Sequence, residues 1–308
     1  MFRKKILAIS LAFFIFLVVF TFFLHRTIVD ITFPYPDELQ TGEVFNRSPA
    51  DTVHFGVISR FPANVLYQGY QPVMDYLSSE TDYYFELVIS RSYIETVQEL
   101  GNGELDAAFL GSYIYTKSRD DYNITPILKP LNEDGKPFFH SAVIVREDSD
   151  VHELPHLKSH SLALPSRQSY SGNWLFYTGF EHYNMTHGDL SGIGYFDHHH
   201  SVVYEVIRGS YDAGSVKDRV AREFEDRGIR IIELSPPIPG SPIVVPEHYD
   251  EAKVQAISSA LLNIDPDDPK FQDLIKGWDP EFAFGFTRAE PSDYDVLLPQ
   301  ITRPENLP

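Results

Sequence analysis

The chain has 308 residues, with 25 Lys or Arg against 44 Asp or Glu, and a formal net charge of −19. That excess of acid speaks against a nucleic-acid grip, which needs a basic face, while 43% hydrophobic residues supply ample material for a folded core. Cysteine is absent, which excludes disulfides, thiolate metal sites, a Cys nucleophile and a cysteine-linked lipid anchor.

The N-terminus stands apart. Arg3, Lys4 and Lys5 precede an uncharged run from Ile6 to Leu24, closed by His25 and Arg26. Nineteen residues at the helical rise span roughly 28 Å, about the thickness of a bilayer's hydrocarbon core. The run is longer than the usual secretory core and ends in the bulky Thr21-Phe22-Phe23-Leu24, a poor cleavage site. Residues 1–26 are therefore expected to be an uncleaved signal anchor, a single transmembrane helix, in preference to a removed signal peptide. The basic start keeps the N-terminus in the cytoplasm and places the rest outside, in the periplasm or extracytoplasmic space. Residues 27–51 read as a proline-containing acidic spacer.

From Thr52 the pattern becomes regular. Segments 52–59, 83–91 and 105–111 read as strands, separated by helical spacing over Leu66–Leu77 and Tyr93–Leu100. After a break, strands at 140–147 and 162–165 are followed by a helix opening near Ser171 and another through Val203 to Arg208. Then come 211–216, a charged helix from Lys217, a strand at 228–235, the Pro-rich 235–245 and a helix at 250–264. The alternation predicts parallel α/β sheets in two lobes: 52–139 and the returning 237–308 in the first, 140–236 in the second. Ligands in such sheets sit beyond the carboxyl ends of strands, so the cleft between the lobes is the expected site.

Within 165–172, Ser169 and Ser171 bracket a turn that ends at Gly172. Backbone N–H groups of a helix start, with two hydroxyls, can cradle an oxyanion without any Lys or Arg; plain capping of the helix is the alternative. His198-His199-His200 and the spaced His152, His156 and His160 raise structural zinc. Consecutive residues seldom converge on one ion, and Pro155 interrupts the spaced set, so no metal or other cofactor is expected.

Several segments, in order, resemble the phosphonate/phosphite-binding proteins of ABC transporters, a branch of the type II periplasmic binding proteins. They are Gly56–Ser59, Glu104–Gly111, Pro165–Gly172, Arg208–Gly214 and Ile238–Val244. The resemblance implies an α/β fold of two lobes around a cleft. It places Ser169, Tyr170 and Ser171 in the anion loop, with Tyr170 where relatives usually carry Thr. His199 falls on the family's binding histidine. A Glu that follows it in aminoalkylphosphonate binders is here His200, which favours phosphite, phosphate or a simple phosphonate over a ligand with an ammonium group. Asp212 matches a family acid that accepts a hydrogen bond, and beside an anion it calls for a ligand that carries a proton. From the first lobe, Tyr93 matches a ligand-contacting tyrosine, and Ser112 or Tyr113 can reach the cleft.

Three functions follow: a solute-binding protein serving an ABC permease, a membrane-tethered sensory module signalling to a separate partner such as a sensor kinase, and an enzyme. No nucleophile elbow, phosphate-binding Walker loop, dinucleotide fingerprint or zinc-hydrolase helix is present, so catalysis is not expected. A monomer that captures a small phosphorus oxyanion is the expectation, with no nucleic acid partner.

Overall fold

The computed structural model describes Phe20 and residues 51–301. The expected anchor at 1–26 and almost all of the spacer lie outside the described residues, among which no helix is long and apolar enough to cross a membrane.

The first lobe opens with β1 (Thr52–Val57), α1 (Ala63–Glu80), β2 (Tyr84–Ile89), α2 (Tyr93–Gly101), β3 (Ala107–Phe109), α3 (Ser112–Tyr122) and β4 (Ile124–Pro130). The chain crosses at β5 (Phe138–Phe139) into β6 (Ser141–Arg146), β7 (Ser161–Leu164), β8 (Gly192–Tyr195), α4 (His199–Ile207), β9 (Ala213–Lys217), α5 (Asp218–Phe224) and β10 (Ile229–Leu234). It returns through β11 (Ile238–Pro239) to β12 (Ile243–Pro246), α6 (Glu251–Leu262), α7 (Pro269–Ile275), β13 (Phe286–Arg288) and α8 (Leu298–Ile301).

Two sheets result, ordered β13-β4-β12-β3-β1-β2 and β10-β6-β9-β7-β8. Each has a parallel part, β2-β1-β3 in one and β8-β7-β9 in the other. The expectation of parallel sheets is corrected for the remainder. β12 runs antiparallel to β3 and β4, and β6 antiparallel to β9 and β10. The reason is connectivity. A strand fed from the other lobe enters without a right-handed helical crossover of its own and is free to run the opposite way. The two crossings are themselves paired, Ile238 opposite Phe139 and Pro239 opposite Phe138.

Alternation along the strands builds a core on both faces of each sheet. In β1 and β3, Val53, Phe55, Val57, Ala107 and Phe109 pack against α1, whereas Ala108 and Leu110 turn to Val97, Leu100 and Ile114. In the second sheet, Val143 and Val145 meet Leu162, Leu164 and Trp174, while Ala142 and Ile144 pack on Val202, Val206 and Val220 of the helices opposite. Helix α1 runs through Pro72 and buries Leu66, Tyr70, Val73, Met74 and Leu77 on one side, the face its spacing predicts. One expected helix is replaced. After Ser169 the chain makes a single 3-10 turn (Tyr170–Gly172) and then a wide π turn (Leu175–Gly179).

Candidate functional site

The anion loop begins where β7 ends. Ser169 caps the short turn by accepting the Gly172 N–H at 3.1 Å, and the Asn173 amide ties the loop down by donating to the Arg167 and Ser169 carbonyls at 2.7 Å. Gly172 is required by space: a Cβ there would lie 2.4 Å from the Ser166 carbonyl oxygen. Both serines are buried, and so is the Tyr170 ring, which stands edge-on to Phe139.

Ser169, Tyr170 and Ser171 line a cavity of about 40 Å³ together with Tyr93, Ser112 and His199. Tyr93 and Ser112 come from the first lobe and the others from the second, so the cavity lies between the lobes. Tyr93 opens α2 beneath the Ser92 cap, and burial pushes its hydroxyl pKa up. Ser112 donates to the Pro239 carbonyl at 2.7 Å and keeps lone pairs for an incoming donor. His199 accepts the Lys217 backbone N–H at Nδ1, 3.1 Å away, which leaves its ring proton on Nε2. Burial, with Lys217 and Arg60 nearby, lowers its pKa to about 3, so the imidazole is a neutral donor at physiological pH.

Three expected ligand contacts lie elsewhere. Tyr113 is packed in the second lobe's core cluster and does not line the cavity. Asp212 precedes β9, whose other end carries Lys217 to the cleft; some five residues at the strand rise put it roughly 16 Å away. There it accepts the Ser161 N–H and hydroxyl, both at 2.7 Å, which hold its pKa down. His200 turns to a neighbouring cavity of about 590 Å³, where its Nε2 meets Glu223 at 3.3 Å and its ring stands edge-on to Phe61 and Phe224. On a helix, adjacent residues point about 100° apart, so His199 and His200 cannot serve the same small space.

The sequence reading missed the charges. Arg60, Lys217, Arg219 and Glu281 also line the small cavity. Arg60 is 5% exposed and Glu281 is 7% exposed. The Arg60 guanidinium lies 2.5 Å from Glu281 and 3.0 Å from Asp279, and it contacts the Tyr70 hydroxyl. Phe61, Tyr70 and Phe109 surround it at 5.0–5.8 Å. Across the cleft Lys217 bonds the other Glu281 oxygen and sits 3.9 Å from the Phe139 ring centroid. The two cations hold the Glu281 carboxyl well below its usual pKa despite its burial. One carboxylate thus joins a cation from each lobe. The Nε atoms of Arg60 and Arg219 are buried without a hydrogen-bond partner, two unsatisfied donors on residues that line the cavity. No local pattern points to these residues. Arg60 follows β1 by three residues, Lys217 ends β9, Arg219 sits in the first turn of α5 and Glu281 lies in a turn that opens on Pro280.

Residues 55–294 match the family described as the periplasmic substrate-binding protein of ABC phosphonate transporters. The chain belongs to that family. Members of this phosphonate-binding family are solute-binding proteins of ABC transporters, not enzymes, and act outside the cytoplasm. Solved structures agree on the two-lobed fold. A binding protein component of an ABC phosphonate transporter from Pseudomonas aeruginosa is 17% identical with a TM-score of 0.71, over 83% of this chain and 90% of that one. PhnD1 from Prochlorococcus marinus, solved with methylphosphonate, is 17% identical with a TM-score of 0.71, over 82% and 97%. A Xanthomonas citri protein solved with ATP is 20% identical with a TM-score of 0.66, over 82% and 98%.

Proposed function

We propose that this phosphonate-binding family member captures a small phosphorus oxyanion (phosphite, phosphate or a simple phosphonate) in the interlobe cavity and delivers it to an ABC permease. The observation that carries the reading is the cavity's composition: Arg60, Lys217 and Arg219, the neutral His199 donor and the Ser169-Ser171 turn bound one small space. A single water needs roughly 10–15 Å³ of such volume, so about 40 Å³ suits a compact tetrahedral anion and excludes a nucleotide from that compartment. His200 and its partner Glu223 lie at the larger cavity, outside the small one, so the preference for ligands without an ammonium group rests on the sequence resemblance alone.

The test is a thermal-shift and calorimetric panel on residues 45–308 with phosphite, phosphate, methylphosphonate, 2-aminoethylphosphonate and sulfate. Phosphite, phosphate or methylphosphonate should bind more tightly than 2-aminoethylphosphonate; tight binding of the aminated ligand, or of none of the five, would refute the assignment. Replacing Ser169 and Ser171 together by Ala should weaken binding at least about tenfold, because each hydroxyl can donate to a charged acceptor worth roughly 1.5–3 kcal/mol. The fold should survive, since a lost cap costs only about 1 kcal/mol. Unchanged affinity would reduce both serines to capping.

We also propose that residues 6–24 hold the protein at the cell membrane as a single-pass anchor. Expressed in a Gram-negative host, the full-length chain should fractionate with membranes. Recovery of a soluble form beginning near residue 27 would exclude this.

A further inference from the structure

Behind the anion loop four buried groups form a file. The Trp174 indole N–H donates to the Ser215 hydroxyl at 3.0 Å, and Ser215 lies 3.0 Å from the Ser141 hydroxyl. Ser141 in turn donates to the Ser171 hydroxyl at 2.8 Å, a shorter contact than its 3.2 Å alternative to the Val216 carbonyl. Ser141 and Ser215 are 0% exposed, and Trp174 and Ser171 are 2% exposed. An indole nitrogen can only donate, and Ser141 has a single proton, which its 2.8 Å bond gives to Ser171; in the 3.0 Å contact, where either hydroxyl could donate, the donor is then Ser215. Ser215 accepts from Trp174 and gives its own proton to Ser141; Ser141 gives its proton to Ser171; Ser171 is left with its proton for the cleft. Each bond polarises the next, and the last hydroxyl becomes a stronger donor than an isolated serine.

We infer that Trp174, Ser215 and Ser141 are positioning residues that fix Ser171 as a hydrogen-bond donor, so that the second lobe's wall of the cavity recognises unprotonated ligand oxygens. The inference rests on the oxyanion reading of the cleft. His199 fits the same pattern, because its only ring proton is the one on Nε2. Ser215 and Ser141 line neither cavity, so neither touches the ligand directly.

The consequence is a dependence on the ligand's own proton. Without Ser215, Ser141 can turn its proton to the Val216 carbonyl, and Ser171 can donate to Ser141 and offer a lone pair to the cleft. The altered site then accepts a P–OH as readily as it once served a P–O⁻. Charged or titratable groups facing Ser171 across the cavity are Arg60, Tyr93, His199, Lys217, Arg219 and Glu281. They are common to parent and variant, so a comparison at each pH cancels their titration.

The experiment measures methylphosphonate affinity by calorimetry for the parent and Ser215→Ala, well below and well above the ligand's second ionisation. At the higher pH the variant should bind about tenfold more weakly, the loss of one charge-assisted hydrogen bond. At the lower pH the loss should be less than about threefold, since the relaxed hydroxyl can accept from the protonated ligand. Equal losses at both pH values indicate a merely structural role and overturn the inference, as does no loss at either. Trp174→Phe, which keeps the ring and removes the N–H, should show the same pH-selective loss and decides the matter if Ser215→Ala melts too low to assay. Absence of methylphosphonate binding by the parent at both pH values refutes the oxyanion reading itself, and the inference with it.

Discussion

Replacing Arg60 by Met should cost about 3–5 kcal/mol of stability, the usual price of leaving buried charges without their partner. Two carboxylates are stranded by the change. Glu281 keeps Lys217 and the more distant Arg219, and Asp279 loses the guanidinium at 3.0 Å. The Arg60 pKa is raised well above its ordinary value by these same partners, working against a burial that on its own would lower it. In a domain of this size the melting temperature should fall on the order of 10 °C. Ligand affinity should fall as well, since a cavity-lining cation is gone. Combining Arg60→Met with Glu281→Gln should cost less than the sum of the single changes, because the second substitution removes the charge that the first exposes. Strict additivity in urea denaturation would mean that the two groups do not stabilise each other.

The second expected result concerns acid. His199 is folded with a pKa of about 3, whereas an unfolded histidine takes its proton near 6.5. Between those values the unfolded chain binds more protons than the folded one, so stability rises with pH. The contribution is fully present above about pH 6.5 and shrinks by up to about 1.4 kcal/mol per pH unit on acidification, on the order of 4 kcal/mol in all. Glu281 acts in the same direction lower down: its folded pKa is depressed, so its contribution is present above about 4.5 and lost as the pH falls through the depressed value. His199→Gln should therefore flatten the dependence of unfolding free energy on pH between neutrality and about pH 4 by close to one proton. An unchanged slope would show that His199 already takes up its proton in the folded state.

Much of the fold is legible because each segment carries its own period. Val53, Phe55 and Val57 announce a strand, and Leu66, Tyr70, Val73 and Leu77 a helix face. The proline-rich crossing at 235–245 marks the return between lobes, and the serine-glycine turn at 169–172 is readable from its own residues. What stays hidden is whatever depends on distant pairing. Arg60, Lys217 and Glu281 are far apart in the chain and meet only because β1, β9 and the turn at Pro280–Phe282 end at one cleft. The antiparallel strands were illegible for the same reason, since period two does not record direction. Asp212 was misplaced by a matching motif: the motif fixes its neighbours in sequence but not which end of β9 faces the ligand.

The paired crossings have a mechanical meaning. Two separate connections would let the lobes twist and shear independently. Here Phe138–Phe139 and Ile238–Pro239 lie side by side, so both strands of the joint bend as one narrow ribbon. Pro239 has no N–H to lend to that ladder, and its carbonyl is fastened to Ser112 instead. Such a joint leaves the lobes essentially one torsional coordinate. Along it Arg60 and Glu281 should part from Lys217 and His199 as a set, since the first two belong to one lobe and the last two to the other. The chamber therefore comes apart in a single stroke, and escape of its contents should follow one exponential rather than a staged leak.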